Sequence, residues 1–177
     1  MKYELLFSGI GGQGVITLGE TLCDAAIRAG WQVTFVPFYG QEKRGGRTMC
    51  NIVISDGVES PIISEADMML VFDEQSLKDY QELMSPRGTL ILNSSMIDIE
   101  PSCACAGLRK IPFNEIAQEL GNAKTANIVA LGYIARMLPE IPRDLIASEV
   151  EKSFAAKPKL IPLNLEALQK GYCLEAP

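Results

Sequence analysis

Residues 3–38 read YELLFSGIGGQGVITLGETLCDAAIRAGWQVTFVPF, and the pattern of this stretch decides the fold. A short apolar run, residues 3–8, ends at Gly9-Ile10-Gly11-Gly12-Gln13-Gly14. Beyond the glycines, Leu18, Leu22, Ala25, Ala26 and Ala29 recur at helical spacing, and Gly30 is a natural stop. Residues 32–38 then read as a second strand. Strand, glycine turn, helix and strand in this order make a βαβ unit, which implies a parallel pair with a right-handed crossover.

Gly9, Gly11 and Gly14 match the spacing G-x-G-x-x-G in the context where that spacing carries meaning, after a strand and before a helix. Glycines there permit a tight turn, let a ligand approach the backbone and aim the first amides of the helix at an anion. Two readings follow: contact with a phosphate or nucleotide, or a bare strand–helix turn. A dinucleotide site would also need an acid at the end of the second strand to bind ribose hydroxyls. That strand ends Val36-Pro37-Phe38, and the next acid is Glu42, inside a loop. An NAD site is not supported.

Further along, Tyr39–Arg47 (YGQEKRGGR) is rich in glycine and charge and reads as a loop. Thr48, Cys50, Ile52 and Ile54 then alternate with Met49, Asn51, Val53 and Ser55. Across Asp56-Gly57 the segment Val58–Ile63 can return, predicting an antiparallel hairpin over 48–63. Parallel winding resumes with a strand at 68–72, a helix at 73–84 and a strand at 89–93, punctuated by Pro86-Arg87-Gly88. Residues 98–107 are poorly patterned. Four apolar stripes follow: Ile116/Leu120, Ile128/Leu131/Ala135/Leu138, Ile146/Val150/Phe154 and Leu165/Leu168/Tyr172. Each reads as a helix face packed on a sheet. No repeat or linker divides the chain, so residues 1–177 read as one domain.

Composition bounds the function. The 177 residues are 47% hydrophobic and 21% charged, ordinary for a globular domain. No run approaches the ~20 apolar residues needed to span a bilayer. The N-terminus enters a strand directly, leaving no room for a signal peptide, so the cytoplasm is the expected compartment. A net charge of −6 argues against a nucleic-acid partner. Cys23, Cys50, Cys103, Cys105 and Cys173 include no C-x-x-C pair and read as reduced thiols rather than metal ligands. Histidine is absent, removing the commonest general base. No catalytic residue is assigned.

Lys43, Arg44 and Arg47 concentrate positive charge in the loop, which should share a sheet edge with the glycine turn. The plain reading is a solvated loop; the sharper one is an anion-facing or partner-facing site, with Arg44 as the best candidate to grip a carboxylate or phosphate. Gly9-x-Gly11-Gly12-Gln13-Gly14-Val15 followed by Tyr39-Gly40-x-Glu42-x-Arg44-Gly45-Gly46 closely resembles the gamma domain of the 2-oxoacid:acceptor (ferredoxin) oxidoreductases. The resemblance continues through Glu65-Ala66-Asp67, Asn127, Leu131-Gly132, Phe154, Lys157, Asn164 and Gly171, nearly the whole chain.

The resemblance implies a subunit of a complex that oxidises pyruvate, 2-oxoglutarate, branched 2-oxoacids or indolepyruvate. It implies thiamine diphosphate and magnesium on alpha- and beta-type partners, iron–sulfur clusters on cysteine-rich or ferredoxin-like chains, and coenzyme A as acyl acceptor. The gamma part would help coenzyme A access and assembly without a complete active site of its own. The expected fold is α/β and three-layer: a mainly parallel, Rossmann-like sheet with an antiparallel hairpin and a helical C-terminal third. The glycine-loop residues Gly9 to Val15 are the expected cofactor contacts; Tyr39, Gly40, Glu42, Arg44, Gly45, Gly46 and Arg47 form the expected active-site or partner-facing loop. Two alternatives stand beside this reading: a stand-alone nucleotide-binding oxidoreductase, and a ligand-free assembly module.

Overall fold

The computed structural model describes residues 1–40 and 46–175. Six strands, β1 (Lys2–Ile10), β2 (Gln32–Tyr39), β3 (Arg47–Ser55), β4 (Ala66–Val71), β5 (Met84–Asn93) and β6 (Gly107–Ile111), form one sheet in the order β2-β3-β1-β4-β5-β6. The helices are α1 (Val15–Arg28), α2 (Glu74–Tyr80), α3 (Phe113–Glu119), α4 (Ala126–Met137), α5 (Arg143–Ser153) and α6 (Ile161–Tyr172). β1, β4, β5 and β6 pair in parallel, whereas β3 is antiparallel to both β1 and β2. The α/β class and the helical C-terminal third are as expected; α3 to α6 carry the four apolar stripes.

β5 starts at Met84 and carries Pro86-Arg87-Gly88 within the strand, as a register shift against β4 rather than as a break after a longer helix. Besides these bounds, two placements differ from the sequence reading. The antiparallel hairpin is made by β2 and β3, not by residues 48–63, and β3 separates β1 from β2. The cause is burial. Cys50, Ile52 and Ile54 point into one core and Val53 into the other, so β3 is a central strand that needs partners on both edges. The proposed return strand cannot supply one: Pro61 lacks a donor, and Val58 and Ile62 are exposed. The second difference is β6, which begins where the poorly patterned residues 98–107 end and stands where the sequence reading has only helices to follow. It is an edge strand bearing Arg109 and Lys110, the composition by which edges avoid further pairing.

Alternation along the strands divides the apolar residues between two cores. Leu5, Phe7, Leu70 and Ile91 pack beneath α1 and α3 to α6. Leu6, Met69, Val71, Leu90 and Leu92 face the thinner layer made by α2 and its flanking segments. α4 is the buried axis of the thicker layer and crosses α6 closely, with Gly132 against Leu168 and Gly171 against Val129. Cys23 and Cys50 lie in this core, where burial pushes the Cys50 thiol up to about 12, so both are inert structural thiols.

One ion pair joins α1 to α5. Glu149, 7% exposed, accepts from Arg28 at 2.5 Å and from Lys152 at 2.7 Å. Burial pushes its carboxyl upward, but the hydrogen bonds from Lys152 and Arg28 outweigh that and leave it below the ordinary glutamate value. A depressed carboxylate contributes stability that is complete above its unfolded pKa, near ~4.3, and is lost as pH falls through the lower folded value. Glu149→Gln should therefore cost about 1–2 kcal/mol at neutral pH, since both cations are partly solvated. Thermal melts across a pH series should show the gap from wild type closing only in the acid range.

Candidate glycine-loop site

The C-terminal end of β1 carries the chain into the glycine loop at the sheet edge where the parallel strands finish. The loop's hydrogen bonds are local and specific. Gln13 N–H donates to the Ile10 carbonyl at 3.2 Å, and the Gln13 side-chain oxygen accepts from Ile10 N–H at 2.8 Å. Gly11 N–H donates to the Gly46 carbonyl at 2.7 Å, and Gly40 N–H to the Arg47 carbonyl at 2.6 Å. Gly40 and Gly46, which flank the charged loop, therefore lie at the same edge as the glycine loop. Glu42, Arg44 and Gly45 lie outside the described residues.

The glycines have separate jobs. A methyl group at Gly9 would meet the Gln13 side chain at 2.5 Å and Val15 at 2.8 Å, so Gly9 permits packing. Gly12 (φ 98°) has open space around it, which leaves its backbone uncovered. Gly14 (φ 74°) is the N-cap of α1 in the left-handed conformation, pressed against Asn127. Val15, next in the chain, is buried and anchors the helix in the core.

No side chain caps α1, whose first-turn amides have no intrahelical partner, and the first-turn residues Val15, Ile16 and Thr17 line open space. That space is a groove of about 480 Å³, walled by Gly12, Gly14, Ile16, Tyr39 and Thr48. Amide donors at the positive end of a helix suit a phosphate or carboxylate. Glu20 also borders the groove, one turn beyond the amides, and limits how far negative charge can extend. On the other side of Gly12 a smaller cavity of about 170 Å³ is lined by Gln13, Asn114 and Lys124.

The antiparallel insertion settles one point of chemistry. The strand beside β1 is β3, with Thr48 opposite Gly9 and Arg47 opposite Ile10. Among the described residues of β2 and β3 at this edge, no acid occupies the position from which a dinucleotide ribose would be held. Tyr39 is exposed, and Arg47, expected to face a partner, pairs with Asp79 of α2 at 2.5 Å. Lys124 carries no signal in the sequence, and Asn127, which reaches the loop from α4, enters the sequence reading only through the family resemblance, without a role. Neither has a local motif to mark it.

Comparison with known proteins agrees with this architecture. The family model described as pyruvate ferredoxin/flavodoxin oxidoreductase matches residues 4–174. The ketoisovalerate oxidoreductase subunit VorA of Methanothermobacter thermautotrophicus is 32% identical over 172 residues, which cover 96% of this chain and 36% of that protein. The chain thus spans about a third of the length of that relative. The indolepyruvate oxidoreductase subunit IorB of Archaeoglobus fulgidus is 30% identical, with 97% of this chain and 94% of that protein covered. Among solved structures, the keto/oxoacid ferredoxin oxidoreductase gamma subunit of Geobacter sulfurreducens superposes with a TM-score of 0.81 at 28% identity, covering 96% of each chain. A 2-oxoglutarate:ferredoxin oxidoreductase from Magnetococcus marinus, solved with 2-oxoglutarate, coenzyme A and succinyl-CoA, shares the fold with a TM-score of 0.88 at 23% identity; 99% of this chain matches 32% of that one. This chain belongs to the pyruvate ferredoxin/flavodoxin oxidoreductase family.

Proposed function

We propose that this chain is the gamma-type subunit of a thiamine-dependent, coenzyme A-acylating 2-oxoacid:ferredoxin oxidoreductase, without turnover of its own and serving coenzyme A access and assembly. The observation that carries the proposal is the groove where Gly12 is open and the α1 amides are uncapped. It offers donors for a phosphate group and room for a nucleotide portion beside Tyr39. The coenzyme A-bound Magnetococcus enzyme supports the choice of ligand, because its chain contains this fold.

The remaining chemistry fits partner chains better. Thiamine diphosphate supplies carbanion stabilisation when bound, and iron–sulfur clusters supply electron transfer. Among the described residues no three His, Cys, Asp or Glu side chains converge as a metal site. Cys23 and Cys50 are in the core, Cys103 and Cys105 border the second core, and Cys173 lies beyond α6. The role left to this chain is to bind and orient the acyl acceptor and to join alpha- and beta-type subunits and a ferredoxin-like chain.

The test is reconstitution. The purified chain with thiamine diphosphate, coenzyme A and a 2-oxoacid should reduce no viologen dye, and activity should appear when alpha- and beta-type partners are added. Turnover by the chain alone would overturn the division of labour.

A further inference from the structure

We infer that Asn127 is a positioning residue for the glycine loop: from the first turn of α4 it fixes Gly14, and through Gly14 the direction of the α1 amides. The inference rests on the reading of that loop as the coenzyme A contact. Asn127 is 8% exposed and lies far from the loop in sequence. Its side-chain amide donates to the Gly14 carbonyl at 3.2 Å, while Leu18 N–H donates to the same oxygen at 3.0 Å. A carbonyl oxygen has two lone pairs, so both bonds coexist. Because the acceptor is a carbonyl, the amide must present its N–H₂ side, which settles its orientation.

Three further observations make this bond a positioning device. Gly14 holds a left-handed conformation (φ 74°) at the point where strand geometry becomes helix geometry. No side chain caps α1 at that end, and the Gln13–Ile10 bond lies within the loop, so among the described residues Asn127 is the side chain that ties Gly14 to another element. Its carrier is rigid: α4 is buried along most of its length and is clasped by α6. The tether thus transfers the fixed position of the helical core to the amides that border the groove. A small rotation at Gly14 would swing Val15, Ile16 and Thr17 N–H away from a common anion, and such misalignment weakens ligand binding without removing a contact residue.

The experiment uses the reconstituted complex and coenzyme A as the varied substrate. Asn127→Ala should raise KM for coenzyme A about tenfold while kcat at saturation stays within about two-fold and KM for the 2-oxoacid is unchanged. Asn127→Asp keeps the shape but places carboxylate against the Gly14 carbonyl. Its defect at neutral pH should exceed that of the alanine variant and shrink as pH falls, because a protonated carboxyl can donate the missing hydrogen bond. A packing role alone would lower the melting temperature and the assembled fraction but leave KM for coenzyme A and its pH dependence untouched. Saturation in wild type with unchanged KM in both variants would overturn the tether and leave the binding reading standing. Failure of the wild-type complex to saturate with coenzyme A would overturn the binding reading and the tether with it.

Discussion

Gly171→Ala should lower the melting temperature by roughly 10 °C, corresponding to about 3–4 kcal/mol for a chain of this size. The expected sign runs against helix propensity, which favours alanine over glycine by about 1 kcal/mol in a helix interior. Tertiary geometry decides it. A methyl group at Gly171 would enter the Val129 carbonyl of α4 and come within 3.0 Å of Tyr133 N. A methyl at Gly132 would enter the Leu168 carbonyl of α6 and come within 2.9 Å of Tyr172 N. The obstacle is backbone in both directions, so no side-chain rotation relieves it, and the helices must separate across a buried contact of the C-terminal layer. Gly132→Ala should be comparable, and the pair should be less than additive, because the first substitution already opens the crossing. Gly57→Ala, at a position with open space and no positive φ, is the control and should melt like wild type. Differential scanning calorimetry of the four variants checks the prediction; a Gly171→Ala chain as stable as wild type would refute the close crossing.

Gly14→Val should reduce coenzyme A-dependent turnover of the reconstituted complex by tenfold or more, equivalent to at least about 1.4 kcal/mol. Two costs coincide. The backbone at φ 74° is sterically disfavoured for a β-branched residue, and the first side-chain carbon would meet the Asn127 carboxamide carbon at 2.9 Å. Relief of either cost moves the start of α1, where the amides border the groove. Gly12→Asn provides the complementary case. Asparagine tolerates positive φ better than most residues, and its side chain would enter open space. That variant should fold and co-elute with partner chains yet bind coenzyme A more weakly, because the added side chain occupies the ligand's approach. Equal kinetics for wild type, Gly12→Asn and Gly14→Val in assembled complexes would reduce the loop to a turn.

The division between what was legible in the chain and what was not follows from the range of the interactions involved. The glycine turn between β1 and α1, the four C-terminal helices and the dispersal of the five cysteines are written in nearest-neighbour spacing and composition. Periodicity states which face of an element is buried, and glycine clusters state where the backbone must turn, so local reading recovered these. It could not state which strand an element pairs with. The alternation in Thr48–Ser55 fits an edge hairpin or a central strand, and only the burial of both faces, against α1 on one side and Leu6 on the other, puts β3 between β1 and β2. β6 was hidden because an edge strand with charges lacks the apolar run that marks a buried one. At the site, the sequence determined that a glycine loop of anion-binding form precedes a helix. Only tertiary structure decided that Gly9 is for packing, that Gly12 is open and that Gly14 is held by Asn127. Those roles depend on atoms brought together from distant positions, and a bond between residues 14 and 127 leaves no trace in the spacing around either one.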